Sequence, residues 1–75
     1  MTIELTKEEK AQIITNHIKN LSYTRYNLEI DVVAENAKTA PVASSISAFE
    51  DQIEDIDGQI AALNTQLTAV NALTQ

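Results

Sequence analysis

The chain has 75 residues, a formal net charge of −6 and no cysteine. Because phosphate groups are bound mainly through Lys and Arg, this acidity argues against general binding to nucleic acid or to anionic membrane surfaces. The lack of cysteine excludes disulfides and thiolate zinc sites, and a chain this short has a marginal core. Oligomerisation or docking is therefore the expected source of further stability.

The first predicted element is a helix over about residues 7–36. It begins after Thr6, which with Glu9 forms the spacing of a capping box. The residues before it are acidic and polar rather than basic and then apolar, so no secretory signal is expected. No stretch of the chain is apolar enough for a transmembrane span, so a membrane-spanning location is not expected.

This first helix carries an apolar seam in which the spacings alternate between three and four residues. The pattern is typical of a heptad repeat, and Arg25 is its one polar interruption. The predicted seam of this helix is Ile14, Ile18, Leu21, Arg25, Leu28 and Val32.

A second apolar stripe lies on another face of the same helix. It has helical spacing but occupies only the later part of the helix, and a single partner helix would not cover both the seam and the stripe. The stripe is interpreted as a contact either with another copy of the chain or with a different protein, since Tyr is favoured at interfaces. Its residues are Tyr23, Tyr26, Ile30, Val33 and Ala37.

The break between the helices is predicted at about residues 37–41. Asn36 is expected to end the first helix in a left-handed conformation. Pro41 suits the first turn of a new helix, which makes Thr39 or Ala40 the expected N-cap. The sequence thus predicts a short turn that contains the single proline.

The second predicted helix, about residues 42–73, has the most regular pattern in the chain. Its apolar residues alternate by four and three without a miss, which indicates a coiled-coil seam. Isoleucine at both core positions favours three strands or more, so a trimer is the favoured homo-oligomer. The seam comprises Val42, Ile46, Phe49, Ile53, Ile56, Ile60, Leu63, Leu67 and Val70.

The predicted fold class is all-α: two long helices in an antiparallel coiled-coil hairpin that assembles into a helical bundle. Equal helix lengths and a short turn favour this arrangement. Folding near residue 39 places Arg25 beside Ile53, within reach of Glu50 and Asp57. The polar interruption of one seam thus meets the acidic part of the other.

Few residues suggest chemistry. The acids of residues 50–57 are read as a solvated face that also pairs with Arg25, with a cation site as the less favoured alternative, because no calcium-type loop surrounds them. His17 is read as a surface residue, and Ser44, Ser45 and Ser47 have no nearby base. We therefore expect no enzyme activity, metal, cofactor or small-molecule substrate.

The closing segment, residues 59–75, has no charged residue. Uncharged, small side chains avoid the cost of burying ions and let another helix approach closely. The open end of the hairpin is therefore a second predicted contact region, besides the tyrosine stripe; the alternative is a polar end that faces solvent. Its residues are Ala61, Ala62, Asn64, Ala69 and Asn71.

Residues 5–31, the break from Glu35 to Pro41, and the apolar repeat of residues 53–73 together resemble small helical coiled-coil proteins of tailed phages, especially marine cyanophages. The resemblance covers nearly the whole chain and implies a virion or assembly role within a larger viral particle. It also implies a location in a virion or in the host cytoplasm. A different reading is a small acidic regulator whose face of Glu50, Asp51, Glu54 and Asp55 blocks a basic protein surface.

Overall fold

The computed structural model describes residues 3–73, which form two long helices packed against each other. α1 spans Lys7–Asn36 and α2 spans Ala43–Asn71. The chain reverses between them, giving an antiparallel hairpin of 57 × 19 × 17 Å. The described residues contain no strand, so the predicted all-α hairpin is confirmed.

The start of α1 is fixed by the predicted capping box. The Thr6 hydroxyl accepts a hydrogen bond from the Glu9 backbone N–H at 3.1 Å, and the Glu9 carboxylate accepts one from the Thr6 backbone N–H at 2.9 Å. The two bonds satisfy donors that a helix N-terminus otherwise leaves without partners. They also hold the pKa of Glu9 below its usual value, chiefly through the Thr6 backbone bond.

The end of α1 differs from its prediction. The helix does stop at Asn36, but none of the described residues outside glycine has a positive φ, so Asn36 is not left-handed. Ala37 caps the helix with φ −80° and ψ −9°. The Ala37 N–H donates to the Val33 carbonyl at 3.1 Å, and the Lys38 N–H donates to the Glu35 carbonyl at 3.2 Å. A right-handed last turn satisfies these carbonyls, so no left-handed residue is required.

The start of α2 is also later than predicted. Val42, in extended conformation, is the N-cap, so the prediction of Thr39 or Ala40 is wrong, and Pro41 lies before the helix rather than in its first turn. The reason is a contact across the turn. The Val42 N–H donates to the carboxylate of Glu35 at 3.0 Å, which anchors the backbone at this residue.

The two seams meet along the length of the hairpin, because every seam residue named above except Val42 is buried or half-buried. Val42 is 46% exposed, since it belongs to the turn and not to the helix. Among the described apolar residues, only Leu28, Ile56 and Val70 are buried, with exposures of 5–8%. A pair of helices covers one stripe of each partner and leaves the other faces in water.

Candidate interaction surfaces

Arg25 links the two helices at the polar position of the seam. Its Nε donates to Asp57 Oδ1 at 2.6 Å and its Nη2 to Asp57 Oδ2 at 3.2 Å, which confirms Asp57 as a partner. Nη1 bonds to Glu29 on α1, whereas Glu50, the other predicted partner, forms no ion pair with Arg25. Glu29 lies four residues along the same helix, a spacing that places the two side chains together.

The bidentate contact of Arg25 with Asp57 is the most specific polar contact between the helices. The hydrogen bonds from Arg25 hold the pKa of Asp57 below its usual value, and those to Asp57 raise the pKa of Arg25. The groups are partly open to solvent, so water screens much of their attraction. We infer that the contact selects one register of the helices more than it stabilises the hairpin.

Glu35 is a site that the sequence reading missed. Its side chain is buried, with one carboxylate oxygen accepting from the Val42 N–H and the other 3.0 Å from Lys38 Nζ. The Val42 N–H lowers the pKa of Glu35 most, and the Lys38 ammonium lowers it further. The signal was present in the sequence, because the seam spacing that joins Leu28 to Val32 continues to residue 35.

The tyrosine stripe lies on the side of α1 turned away from α2. Four of its residues form what we call the α1 outer face: Tyr23, Tyr26, Ile30 and Val33. Their side chains are 46–64% exposed, although their spacing is that of a buried helix stripe. Ala37, the fifth predicted residue, is exposed at the C-cap. The hairpin therefore leaves a continuous apolar row without a partner helix, as the two-stripe pattern predicts.

The N-terminal continuation of the α1 outer face is polar. Lys19, Gln12 and Glu8 precede Tyr23 at spacings that place them on the same side of α1. Lys19 folds over the Tyr23 ring, with its Nζ 5.9 Å from the ring centroid. The apolar row thus occupies the half of α1 near the turn and ends at a lysine.

The predicted contact residues of the closing segment do not share one face. Ala62 and Ala69, seven residues apart, lie on one side of α2, while Asn64 and Asn71 lie on another, with Ala61 between the two. All five are exposed. The structure therefore separates the small residues from the amides and offers no single surface made of all five.

The open end of the hairpin holds a shallow, mainly apolar groove of about 310 Å³. The sequence reading did not single it out, although Ile13 is an exposed apolar residue directly beside the seam residue Ile14. An apolar groove of this depth admits a side chain more readily than a whole ligand. It is lined by Leu5, Lys10, Ile13, Ile14, Gln66 and Val70.

The acidic residues of α2 face solvent. Glu50, Asp51, Glu54 and Asp55 are all exposed and form no ion pair within residues 3–73. Among the same residues, no three His, Asp or Glu side chains come together as a metal-binding group. His17 is exposed on α1. The exposure of these four carboxylates agrees with the solvated-face interpretation.

Charge is divided unevenly between the helices. Residues 43–71 of α2 contain five acids and no Lys or Arg. Residues 19–38, which comprise the part of α1 around the outer face and the start of the turn, have three bases and three acids. An approaching acidic protein, including another copy of this chain, is therefore repelled by α2 and not by this part of α1.

These features define the molecule as an all-α helical hairpin with one continuous apolar face left uncovered. No family model, curated protein or solved structure matches the chain. No helix in the described part of the chain is long and apolar enough to cross a bilayer.

Proposed function

We propose that the protein is a non-enzymatic assembly element, in which hairpins associate with one another through the α1 outer face. The observation that carries this proposal is the exposure of Tyr23, Tyr26, Ile30 and Val33 at helical spacing while the seam of α1 is already covered by α2. Rows of this kind gain stability when a second helix removes them from water. Large aromatic side chains add to this gain at interfaces.

The exposed area of the hairpin supports association. Its accessible surface is 5590 Å², whereas a globular monomer of 8.2 kDa exposes roughly 4,500 Å². The excess is of the same size as the surface that one partner contributes to an ordinary protein–protein interface, about 800 Å². The hairpin is also elongated: its radius of gyration is 17.3 Å, whereas a compact chain of this length has about 11 Å. An elongated chain leaves more of its surface available for contact with another copy.

The proposal is tested by substituting Ile30 and Val33 together by Asp. These substitutions place two charges in the apolar row, so we expect a smaller mass in light scattering with unchanged helical circular dichroism. The matched control, Asn20→Asp with Thr24→Asp, adds the same charge at exposed positions of α1 outside the row. A wild-type chain that is a monomer at high micromolar concentration would contradict the proposal.

The setting we propose is a tailed-phage particle, as a virion component or a part of its assembly. Its support is the sequence resemblance, together with an elongated hairpin that suits repeated packing. Mass spectrometry of purified particles from the source tests it. Finding the protein at a fixed number of copies per particle supports a virion role, and finding it only in the particle-free lysate contradicts one.

A second candidate function is supported by the α2 acids. Glu50, Asp51, Glu54 and Asp55 form an exposed acidic face that could occupy a basic surface on another protein. Binding to a basic partner should then weaken steeply with salt, and Asp51→Lys with Asp55→Lys should abolish it. Ile30→Asp, which leaves the acidic face unchanged, is the comparison variant and should keep its binding. Retained binding in the double variant would exclude this function.

A further inference from the structure

We infer that the occupant of the α1 outer face is a second copy of this chain, with the two α1 helices antiparallel about a two-fold axis. This inference rests on the proposed self-association and specifies its geometry. The axis passes beside residues 28–30 of α1, the middle of the apolar row. Tyr23 of one copy then packs against residues 33–37 of the other, and the interface is the same patch on both copies.

The first argument is the polar half of the same helix face. In a parallel pair or trimer each residue meets its own counterpart, so Lys19 faces Lys19 and Glu8 faces Glu8 in the other copy. Like charges placed against each other at an interface oppose association. In the antiparallel pair only the apolar halves overlap. The polar halves then extend past the end of the other α1 helix into water, because α1 stops at Asn36.

The second argument is charge complementarity at the helix ends. The last turn of α1 contains no basic residue, so its exposed carbonyls leave a partial negative charge there. The antiparallel pairing brings Lys19 of the other copy to this end, since residue 19 lies opposite residues 37–41. Lys19 already lies over the Tyr23 ring, at the edge of the apolar row. Lys38, just beyond this turn, is already paired with Glu35, so Lys19 of the other copy adds a cation for the free carbonyls of the last turn.

The third argument concerns the number of copies. The trimer was predicted from isoleucines at both core positions of α2, including Ile53, Ile56 and Ile60. In the hairpin these residues are buried or half-buried against α1, so they are already used within one chain. The contact between copies depends instead on a single row on α1. A row this narrow suits one opposing helix, and the acidic α2 helices then lie on the two outer sides of the pair.

The chain contains no cysteine, so any disulfide formed by a single-cysteine variant must involve the introduced residue. Tyr23→Cys protein is mixed with affinity-tagged Val33→Cys protein and, separately, with tagged Ala37→Cys protein, and each mixture is oxidised. In the antiparallel pair we expect disulfides between the two variants. We expect none between two copies of Tyr23→Cys, because their Cα atoms lie roughly 15–20 Å apart, beyond the ~7 Å limit of a disulfide.

Two further variants act as controls. Ser22→Cys repeats the test against Ala37→Cys with the Tyr23 ring kept in place, in case loss of the ring weakens the pair. Thr65→Cys, on the side of α2 turned away from α1, should not cross-link. Light scattering of the wild-type chain should give twice the mass of one hairpin.

Each result has a separate meaning. Cross-links confined to the mixtures support the antiparallel pair. Cross-links between identical Tyr23→Cys copies, or a mass of three hairpins, overturn this geometry and leave the proposed self-association standing. A monomeric wild-type chain overturns both.

Discussion

The two helices of the hairpin have almost the same length but a different division of apolar and charged residues. α2 has one apolar side, which packs on α1, and elsewhere carries five acids and no base. α1 has two apolar sides, of which α2 covers one, and its charges nearly cancel around the other. The difference indicates that α2 completes the fold of its own chain, whereas α1 both completes the fold and presents a surface to another molecule.

The largest effect is expected where α1 and α2 meet. Ile56→Ala removes a buried side chain from a thin core, and we expect a loss of about 3 kcal/mol in the free energy of unfolding. Ile30→Ala, the matched change on the α1 outer face, should cost under about 0.5 kcal/mol in dilute, dissociated protein. Urea unfolding at low and high protein concentration measures both. Equal losses of unfolding free energy in the two variants at low protein concentration would contradict the assignment of one face to the core and the other to solvent.

Acid should weaken the contacts at the turn and at Arg25. The pKa values of Glu35 and Asp57 are lower in the folded state than their ordinary values of 4.5 and 3.8. The unfolded chain therefore takes up protons first, so stability is complete above about pH 5 and falls as the pH drops through the lowered pKa values. Thermal unfolding between pH 7 and pH 2 measures this loss.

Glu35→Gln is the control for the acid effect. This variant should melt lower than the wild type at pH 7, and its melting temperature should decline less on acidification, since one of the responsible carboxylates is gone. Parallel curves for the two proteins would show that the ionised carboxylate of Glu35 does not contribute to the loss of stability in acid.

A smaller effect than that of Ile56→Ala, and of opposite sign, is expected at Gly58, in the middle of α2. A Cβ added there meets no atom within 4 Å, and Ala is the better helix former by about 1 kcal/mol. Gly58→Ala should therefore raise the urea midpoint with no change in oligomeric mass. Ala62→Gly, an exposed position one turn further on, should lower it by a similar amount. A change in mass on Gly58→Ala would instead indicate that another helix approaches α2 at this glycine.

Periodicity and capping rules were sufficient for the helices and the seam. Thr6 and Glu9 fix the start of α1 through neighbouring backbone groups, and seam residues such as Leu28 and Ile56 follow the helical repeat. Both signals are local, so the order of residues alone reveals them. The tyrosine stripe was found in the same way, as a second set of residues at helical spacing.

Periodicity and capping rules could not predict the start of α2 or the contacts that join distant parts of the chain. The N-cap of α2 is Val42, a residue with no capping side chain, because a carboxylate seven residues earlier accepts the Val42 N–H. Glu29, rather than Glu50, completes the Arg25 contact. The i,i+4 spacing makes Glu29 available to Arg25, but whether Arg25 also reaches Glu50 depends on how the two helices are placed against each other. The open-end groove likewise forms only when the start of α1 and the end of α2 lie side by side.

Helix formation and apolar spacing are properties of consecutive residues, so the order of residues is sufficient to predict two amphipathic helices joined at one break. Which apolar face is covered depends instead on how the helices pack. The seams of α1 and α2 satisfy each other once the chain reverses, and the row from Tyr23 to Val33 is then left on the outside. The physical reason is geometric: a helix can bury only one side against a single neighbour, and α1 carries two apolar sides.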